Sequence, residues 1–434
     1  MINKELGEKS LQYIKNSGAD KAFYHLVKHE KVEINFNSTS VGLFRTTDHN
    51  EVTLKAIKDN KLSRIYLTNI YDEEALKQSA KTLIEMCEAS EEDINNDIAE
   101  FQEPEKFSSG SKEADKDKIY TIIEKLLTNC KEKYPAIKLN ESFICFNKEQ
   151  EHFMNSNGID FVSSVSEYTI RITYAAKEGE KSSSFNGIDL SVTELPDDLL
   201  EFDRIRESFE ESIEQLNCKS INGKFTGSII ITPDCLVELI STYNNIFLSD
   251  SSLITKTSRL KDKLNEKVAS DSLTISCSPT DEDISKKVFV TDDGLKTQEV
   301  TYIENGVLKS YLLTLYGAKK TGLELRPTAE IIKVKPGEKS LDDIINSTDR
   351  GIILGRFSGG NPASNGDFSG VAKNSYYVED GEVKFPLIET MVSGNLYEIF
   401  NSIEDISKEV INMGYAVLPW VKVNGVVVSK WMYS

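Results

Sequence analysis

Three tight-turn signals in the second half of the chain constrain its fold more than any other feature. Glu304-Asn-Gly, Glu379-Asp-Gly and Asn424-Gly each lie between short runs rich in valine, isoleucine and tyrosine. Because Asn-Gly and Asp-Gly favour turns in which both central residues have positive φ, each signal predicts a β-hairpin. We therefore predict a β-rich, barrel- or sandwich-like C-terminal domain over residues 218–434. Its helices are predicted over residues 234–247, 315–321 and 395–407.

The first half of the chain alternates helices with strands. A helix is predicted over residues 4–16, a second after Asp72-Glu-Glu, and a third over residues 119–130, from apolar residues at helical spacing. Pro196 and the two aspartates after it predict the start of a fourth helix, because proline suits the first helical position and acids favour the first turn. Residues 1–217 are therefore predicted to form a mixed α/β domain, so the fold class is α+β with two domains.

Two strand-rich blocks, residues 21–67 and 138–185, are each followed by a helical pattern. Asn37-Ser and Asn155-Ser occupy similar places in the two blocks. A weak internal duplication explains the pattern, with each unit a β-meander covered by a helix, and ordinary alternation of strands and helices explains it equally well. Turn signals within the first block lie at Thr47–Asn50 and Asp59-Asn60.

The charge balance bears on the partners of the protein. Its 51 basic and 70 acidic side chains give a net charge of −19. Duplex binding relies on clustered Lys and Arg, so this balance argues against direct contact with nucleic acid. No apolar run approaches the ~20 residues that span a bilayer, and the first residues contain no stretch typical of a signal peptide. We therefore expect a cytoplasmic protein without a membrane partner, and its six cysteines are expected to be reduced.

Metal-binding patterns are sparse. The histidines are His25, His29, His49 and His152. His25 and His29 lie in a stretch that predicts a strand rather than the helix of zinc-protease motifs, so we interpret them as polar residues of a solvated strand. The acidic turns at residues 281–283 and 292–294 do not match the spacing of an EF-hand loop.

The Gly- and Asn-rich segment Phe357–Gly370 is the most unusual stretch of the chain. It contains neither a Walker A sequence nor GxSxG. Such a loop can bring bare backbone close to a ligand or another chain, and a long surface turn explains it almost as well. The candidate peptide- or partner-binding residues are Ser358, Gly359, Gly360, Asn361, Gly366, Asp367, Ser369 and Asn395. No catalytic or metal-binding residue is predicted.

Four segments follow one another in a distinctive order. They are Ser258–Ser270, Val290–Gly294 with Tyr302–Leu308, Phe357–Ser369 with Glu389 and Ser393–Leu396, and Leu418–Gly425. Together they resemble the TldD/PmbA family, whose members are described as peptidases and as modulators of DNA gyrase. Asn265 stands where the family usually has glycine. The similarity covers nearly the whole chain, and the ordered set is more specific than any one motif.

The resemblance also distinguishes two branches of that family. The TldD branch holds zinc through HExxxH on a helix and a distant cysteine. The corresponding segment here, Thr232–Phe247, contains no histidine, and Ile411–Leu418, where the cysteine is expected, contains no cysteine. The chain therefore resembles the PmbA/TldE branch, which lacks the metal centre. This implies no cofactor in this chain and zinc only in a TldD-like partner.

The resemblance implies that the chain acts together with a catalytic protease subunit. We expect a non-catalytic subunit of a cytoplasmic complex that degrades or processes unfolded peptides, paired with a TldD-like sister subunit or with a second copy of itself. Two alternatives stay open. One is a self-sufficient metallopeptidase with an unrecognised site, such as His25, His29 and a carboxylate. The other is a regulator that acts on DNA gyrase through protein contacts.

Overall fold

The computed structural model describes residues 4–70, 73–360 and 362–430. It contains two extensive β-sheets, each with helices packed on it, which confirms the predicted α+β class. The C-terminal sheet is sandwich-like and does not close into a barrel. Among the helices of these residues, none is both long and apolar enough to cross a membrane.

The N-terminal region builds one sheet and four helices. The helices are α1 (Lys4–Asn16), α2 (Glu73–Ala89), α3 (Lys116–Lys133) and α4 (Ile205–Glu214), and a 3₁₀ turn at Gln215–Asn217 follows the last. The strands are β1 (Lys21–Phe36), β2 (Val41–Lys58), β3 (Lys61–Thr68), β4 (Glu105–Ser109), β5 (Ile137–Leu139), β6 (Ser142–Asn155), β7 (Asp160–Glu178), β8 (Lys181–Ser182) and β9 (Asn186–Val192). The predicted domain boundary near residue 218 lies just after the 3₁₀ turn and stays a prediction.

The same order of helices and strands occurs twice along the N-terminal region. Helix α1, the hairpin β1–β2, strand β3 and helix α2 come first, and α3, the hairpin β6–β7, β9 and α4 follow. Strands β1 and β6 pair antiparallel at the centre. Asn37 and Asn155 both lie at the turn of their hairpin, at equivalent places in the two halves. This order is the one that an internal duplication predicts.

Two predictions in the N-terminal region were wrong. Thr47–Asn50 is not a turn, because these residues continue β2 and pair with β1. The hairpin turns earlier, where the Asn37 side chain accepts a hydrogen bond from the backbone N–H of Thr39 at 2.9 Å. The helix predicted from Pro196 begins only at Ile205, because the apolar residues before it reach the core from an irregular segment.

The helices cover one face of the sheet. Leu26 of β1 is buried with α1 and α2, and Ile34 of the same strand is buried with α3. Successive side chains of a strand point to opposite faces of the sheet. Leu26 and Ile34 have even numbers, so the odd-numbered residues between them lie on the other face. In the middle of β1 that second face is polar and partly exposed.

The C-terminal region builds the second sheet. Its helices are α5 (Pro233–Phe247), α6 (Asp250–Ile254), α7 (Leu315–Thr321), α8 (Leu341–Asn346) and α9 (Leu396–Asn401). Its strands are β10 (Lys224–Ile231), β11 (Ile275–Cys277), β12 (Val300–Glu304), β13 (Val307–Leu308), β14 (Ile332–Val334), β15 (Arg350–Leu354), β16 (Arg356–Ser358), β17 (Asp367–Lys373), β18 (Tyr376–Glu379), β19 (Glu382–Pro386), β20 (Thr390–Asn395), β21 (Ile403–Asn412) and β22 (Ala416–Lys430). Strand β22 organises the sheet, since it pairs with β10, β14, β20 and β21.

Two of the three predicted hairpins are confirmed, β12–β13 and β18–β19. The third is wrong: Asn424-Gly lies inside β22, where Gly425 has φ +80° opposite an irregularity in the pairing with β10. Because β22 has partners along its length, the glycine produces a local distortion rather than a turn. The predicted helix 395–407 is also too long, since residues 403–412 form β21 on β22. The helices 234–247 and 315–321 are confirmed within one residue.

A close backbone contact joins the two regions. The N–H of Ser191 in β9 donates to the carbonyl of Met413 at 2.8 Å, in the turn between β21 and β22. Gly414 follows with φ +79°, and a Cβ there would lie 1.7 Å from the Ser191 carbonyl oxygen. Only a residue without a side chain permits this approach.

We predict that Gly414→Ala destabilises the protein more than Gly425→Ala. Both glycines have φ near +80°, so each substitution carries the cost of left-handed backbone, about 1–2 kcal/mol. At Gly414 the new methyl group also displaces the Ser191 backbone, whereas nothing lies within 4 Å at Gly425. Urea-induced unfolding of the two variants measures the difference, and equal free energies of unfolding would contradict the close packing.

Candidate functional site

A cavity of about 630 Å³ lies between the two regions. Strand β9 and helix α4 form its N-terminal wall, and α5, the end of β21 and the start of β22 form the C-terminal wall. We call this space the cleft. A second, wider hollow of about 870 Å³ lies elsewhere between the regions. Charged residues that line it pair across the two regions, as Lys320 does with Asp93 at 2.6 Å.

Helix α5 presents two carboxylates to the cleft. It begins after Thr232, whose side chain accepts from the backbone N–H of Cys235, with Pro233 in the first turn. Its apolar side chains pack into the C-terminal core. Asp234 and Glu238, four residues apart, lie on the opposite face and line the cleft.

Three cleft carboxyl groups are crowded by surrounding protein, although Asp203 and Asp234 keep exposed surface and Glu211 is half-buried. Burial raises the pKa of Asp234, Glu211 and Asp203, because the surrounding protein removes solvent that would stabilise the charged form. The Arg204 guanidinium opposes the shift at each of them. Arg204 donates to Glu211 at 2.7 Å and lies 5.3 Å from the ring centre of Trp420, so it is held between the two regions.

Carboxylates outnumber cations in the cleft. The acidic residues that line it are Asp189, Asp203, Glu211, Glu214, Asp234 and Glu238, and the basic residues are Arg204 and Arg356. The Nε of Arg356 and the Oδ1 of Asn374, both of residues that line the cleft, are buried without a partner among the described residues. The cleft is therefore suited to a polar group, above all one with positive charge.

The two segments in which the resemblance places the metal ligands of the sister branch, Thr232–Phe247 and Ile411–Leu418, lie together in the structure. Asp234 and Glu238 from α5 line the same cleft as Ile411, Met413 and Tyr415. No histidine or cysteine is among the described residues that line it. Cys235 points into the core instead, and its burial raises the pKa of the thiol.

These residues do not fit a zinc centre of the HExxxH type. Such a centre uses imidazole and thiolate ligands, and three protein donors in a catalytic site. The cleft offers carboxylates in their place, and burial favours the protonated form of those on α5. We derive no chemical step through a metal in the cleft.

The predicted binding loop lies apart from the cleft. Residues 357–370 form the hairpin of β16 and β17, Asn395 ends β20, and none of the seven described candidate residues lines the cleft. Asn361 lies outside the described residues. The predicted role of the loop stays a prediction.

Contacts within the loop account for several of its residues. The Asn395 side chain caps α9 and donates to Asp367 at 2.8 Å, and the Ser369 and Ser393 hydroxyls lie 3.0 Å apart. Gly366 has φ +90°. Ser358 ends β16, and Gly359 and Gly360 follow it in exposed positions.

Sequence reasoning missed the cleft as a site. Its acidic residues are scattered over the 50 residues from Asp189 to Glu238, and no motif joins them. The one available signal was the position of α5, which the resemblance identified as the helix that holds metal in the sister branch. His25 and His29 do not share a cluster either: His25 contacts Glu151 at 3.1 Å, and His29 stacks on His49.

Comparisons with known proteins agree with this geometry. The family model described as the PmbA/TldA metallopeptidase C-terminal domain matches residues 223–430. An uncharacterised protein of Methanocaldococcus jannaschii is 25% identical, over 93% of this chain and 95% of its own. A zinc metalloprotease TldD homologue of Saccharolobus solfataricus is 26% identical, over 61% of this chain and 62% of its own. A metalloprotease PmbA homologue of Haemophilus influenzae is 25% identical, over 63% and 66%.

Solved structures share the fold over both regions. TldE of Thermococcus kodakarensis superposes with a TM-score of 0.82 at 20% identity, covering 98% of this chain and 100% of that one. A candidate modulator of DNA gyrase from Bacteroides thetaiotaomicron superposes with a TM-score of 0.84 at 21% identity, covering 99% and 100%. At these identities the likeness concerns the fold.

We predict that Asp234→Asn stabilises the protein at about pH 8 relative to Asp342→Asn. Both aspartates occupy the second position of a helix, so the loss of charge near the helix end is matched, and Asp342 on α8 does not line the cleft. Burial raises the pKa of Asp234 in the native state. The stability linked to its proton is therefore present at low pH and is lost as the pH rises through the raised pKa, whereas asparagine does not ionise.

Thermal unfolding across pH tests this prediction. The difference between the two variants should shrink towards about pH 4, where aspartate ordinarily takes up its proton. A difference that is constant with pH would show that the cleft does not desolvate Asp234.

Proposed function

Because this chain belongs to the TldD/PmbA family and is PmbA/TldE-like, we propose that it is the non-catalytic subunit of a cytoplasmic complex that processes peptides. One observation carries the proposal. The cleft contains the helix and the turn where the sister branch places its metal ligands, and it offers carboxylates instead of imidazole and thiolate. A chain that keeps this fold without the ligand set is suited to bind and position substrate rather than to cleave it.

The charge of the cleft suggests which part of a peptide it takes. Its carboxylates outnumber its arginines six to two. An amino terminus or a lysine side chain would restore the charge balance, because a cation nearby favours the charged form of each carboxylate in the cleft. We propose that such groups of an unfolded peptide enter the cleft.

Strand β16 offers a second contact for an extended peptide. It pairs with β17 alone among the described strands, so no described strand occupies its other edge. Arg356, its first residue, lines the cleft. A peptide added along this edge would gain backbone hydrogen bonds that do not depend on sequence, and it would lie between the cleft and the exposed glycines of the predicted loop.

The partner that supplies catalysis is a TldD-like subunit in this proposal, and a second copy of the chain is the other candidate. We predict that the purified chain with added Zn²⁺ leaves an unfolded peptide intact, because no family-type metal centre can form in its cleft. Mixed with a TldD-like subunit, it should raise peptide hydrolysis above that of the subunit alone. Mass spectrometry of the products measures both. Robust hydrolysis by the lone chain would overturn the proposal.

A second experiment tests the acidic cleft. Glu238→Gln should weaken binding of a lysine-rich unfolded peptide several-fold, because it removes a carboxylate that faces the cavity. Glu304→Gln is the matched control, since Glu304 is exposed in the β12–β13 hairpin, away from the cleft. Fluorescence anisotropy with lysine-rich and glutamate-rich peptides measures the effect. If the two variants bind alike, the cleft is not the binding site.

A further inference from the structure

The open face of the N-terminal sheet carries a cluster of histidines and glutamates outside the cleft. His29 on β1 lies on the face opposite the helices, because Leu26 and Ile34 on the same strand are buried beneath them. Its side chain is partly buried among polar neighbours. None of these residues lines the cleft.

Strand pairing aligns the cluster. His29 is directly opposite His49 on β2 and directly opposite Glu149 on β6. Glu51 lies two residues after His49, so it points to the same face. Three neighbouring strands therefore present two imidazoles and two carboxylates side by side.

The side chains of the cluster lie close enough together to bind one metal ion. One possible ligand atom from each of His29, His49 and Glu51 lies within 4.8 Å of the other two. The imidazole rings are stacked with their centres 4.7 Å apart, and Glu51 Oε1 lies 3.5 Å from His49 Nε2. One cation could contact all three residues after small side-chain rotations.

An unsatisfied nitrogen gives a second, independent sign of a ligand. The Nδ1 of His49 is buried and has no hydrogen-bond partner in the described part of the chain. A buried polar atom without a partner destabilises the native state, and a cation would remove that cost if it is held by Nδ1 rather than by the Nε2 that lies near Glu51.

Glu149 supports the cluster from its edge. Its Oε1 lies 3.1 Å from Nδ1 of His29. A carboxylate beside one nitrogen of an imidazole favours the tautomer with its proton on that side, which makes the other ring nitrogen the one that can bind an ion.

We propose that His29, His49 and Glu51 bind a divalent cation of the zinc type, with Glu149 positioning His29. Two imidazoles and one carboxylate suit Zn²⁺ and its neighbours in the first transition series rather than Mg²⁺ or Ca²⁺, which prefer oxygen ligands. Three protein donors leave a position for water. The site does not depend on the proposed function, since it lies outside the cleft.

Equilibrium dialysis of the full chain against Zn²⁺, with metal analysis, tests the site. Wild-type protein should bind one ion, and His49→Gln should weaken the affinity by at least about tenfold. Glu51→Gln, at a more exposed side chain, serves the same purpose if the histidine variant folds poorly. Co²⁺ should give a visible absorption band in wild-type protein that His49→Gln lacks.

His25→Gln is the matched control. It removes a histidine from the same face of β1, but His25 contacts Glu151 and stacks on Phe153 rather than joining the cluster. Its Zn²⁺ affinity should equal that of wild type. The proposal is overturned if wild-type protein binds no Zn²⁺ at micromolar concentration, if the cluster variants bind as wild type does, or if His25→Gln loses as much affinity as they do.

Discussion

The approach of Gly414 to Ser191 is the contact on which the cleft depends. It joins strand β9 of one sheet to the turn that leads into β22, the strand that organises the other sheet. The cleft has a wall in each region, so it exists only while this junction is closed. A Cβ at Gly414 would lie 1.7 Å from the Ser191 carbonyl oxygen, so a side chain there would force the two walls to shift against each other.

Closure of the junction also contributes to the raised pKa values of the cleft carboxyl groups. Glu211 comes from the N-terminal region and Asp234 from the C-terminal one, and each is desolvated by the protein around the shared space. Arg204 reduces the resulting cost through its bond to Glu211 and its position over Trp420. The cleft thus gathers carboxyl groups without the imidazole and thiolate ligands of a zinc centre. Recognition of a cationic group is the chemistry that this arrangement supports.

Two faces of the protein therefore carry different chemistry. The cleft concentrates carboxylates between the regions, whereas the open face of the N-terminal sheet combines imidazoles with carboxylates in a row across three strands. The first depends on the junction, and the second depends only on the register of one sheet. For this reason, failure of the peptide-binding proposal for the cleft would not contradict the cation site on the sheet, and the reverse also holds.

The sequence by itself determined the fold class, most helices, two of the C-terminal hairpins and the family, because these follow from local periodicity, turn chemistry and the order of short motifs. It also located the helix and the turn that form the C-terminal wall of the cleft. The tertiary structure alone decided that Asn424-Gly continues a strand, since pairing on both sides of β22 outweighs a local turn preference. It alone brought Asp234 to Glu211 and His49 to His29. Burial, pairing register and the lining of a common cavity depend on contacts between residues distant in sequence. No local sequence pattern encodes those contacts.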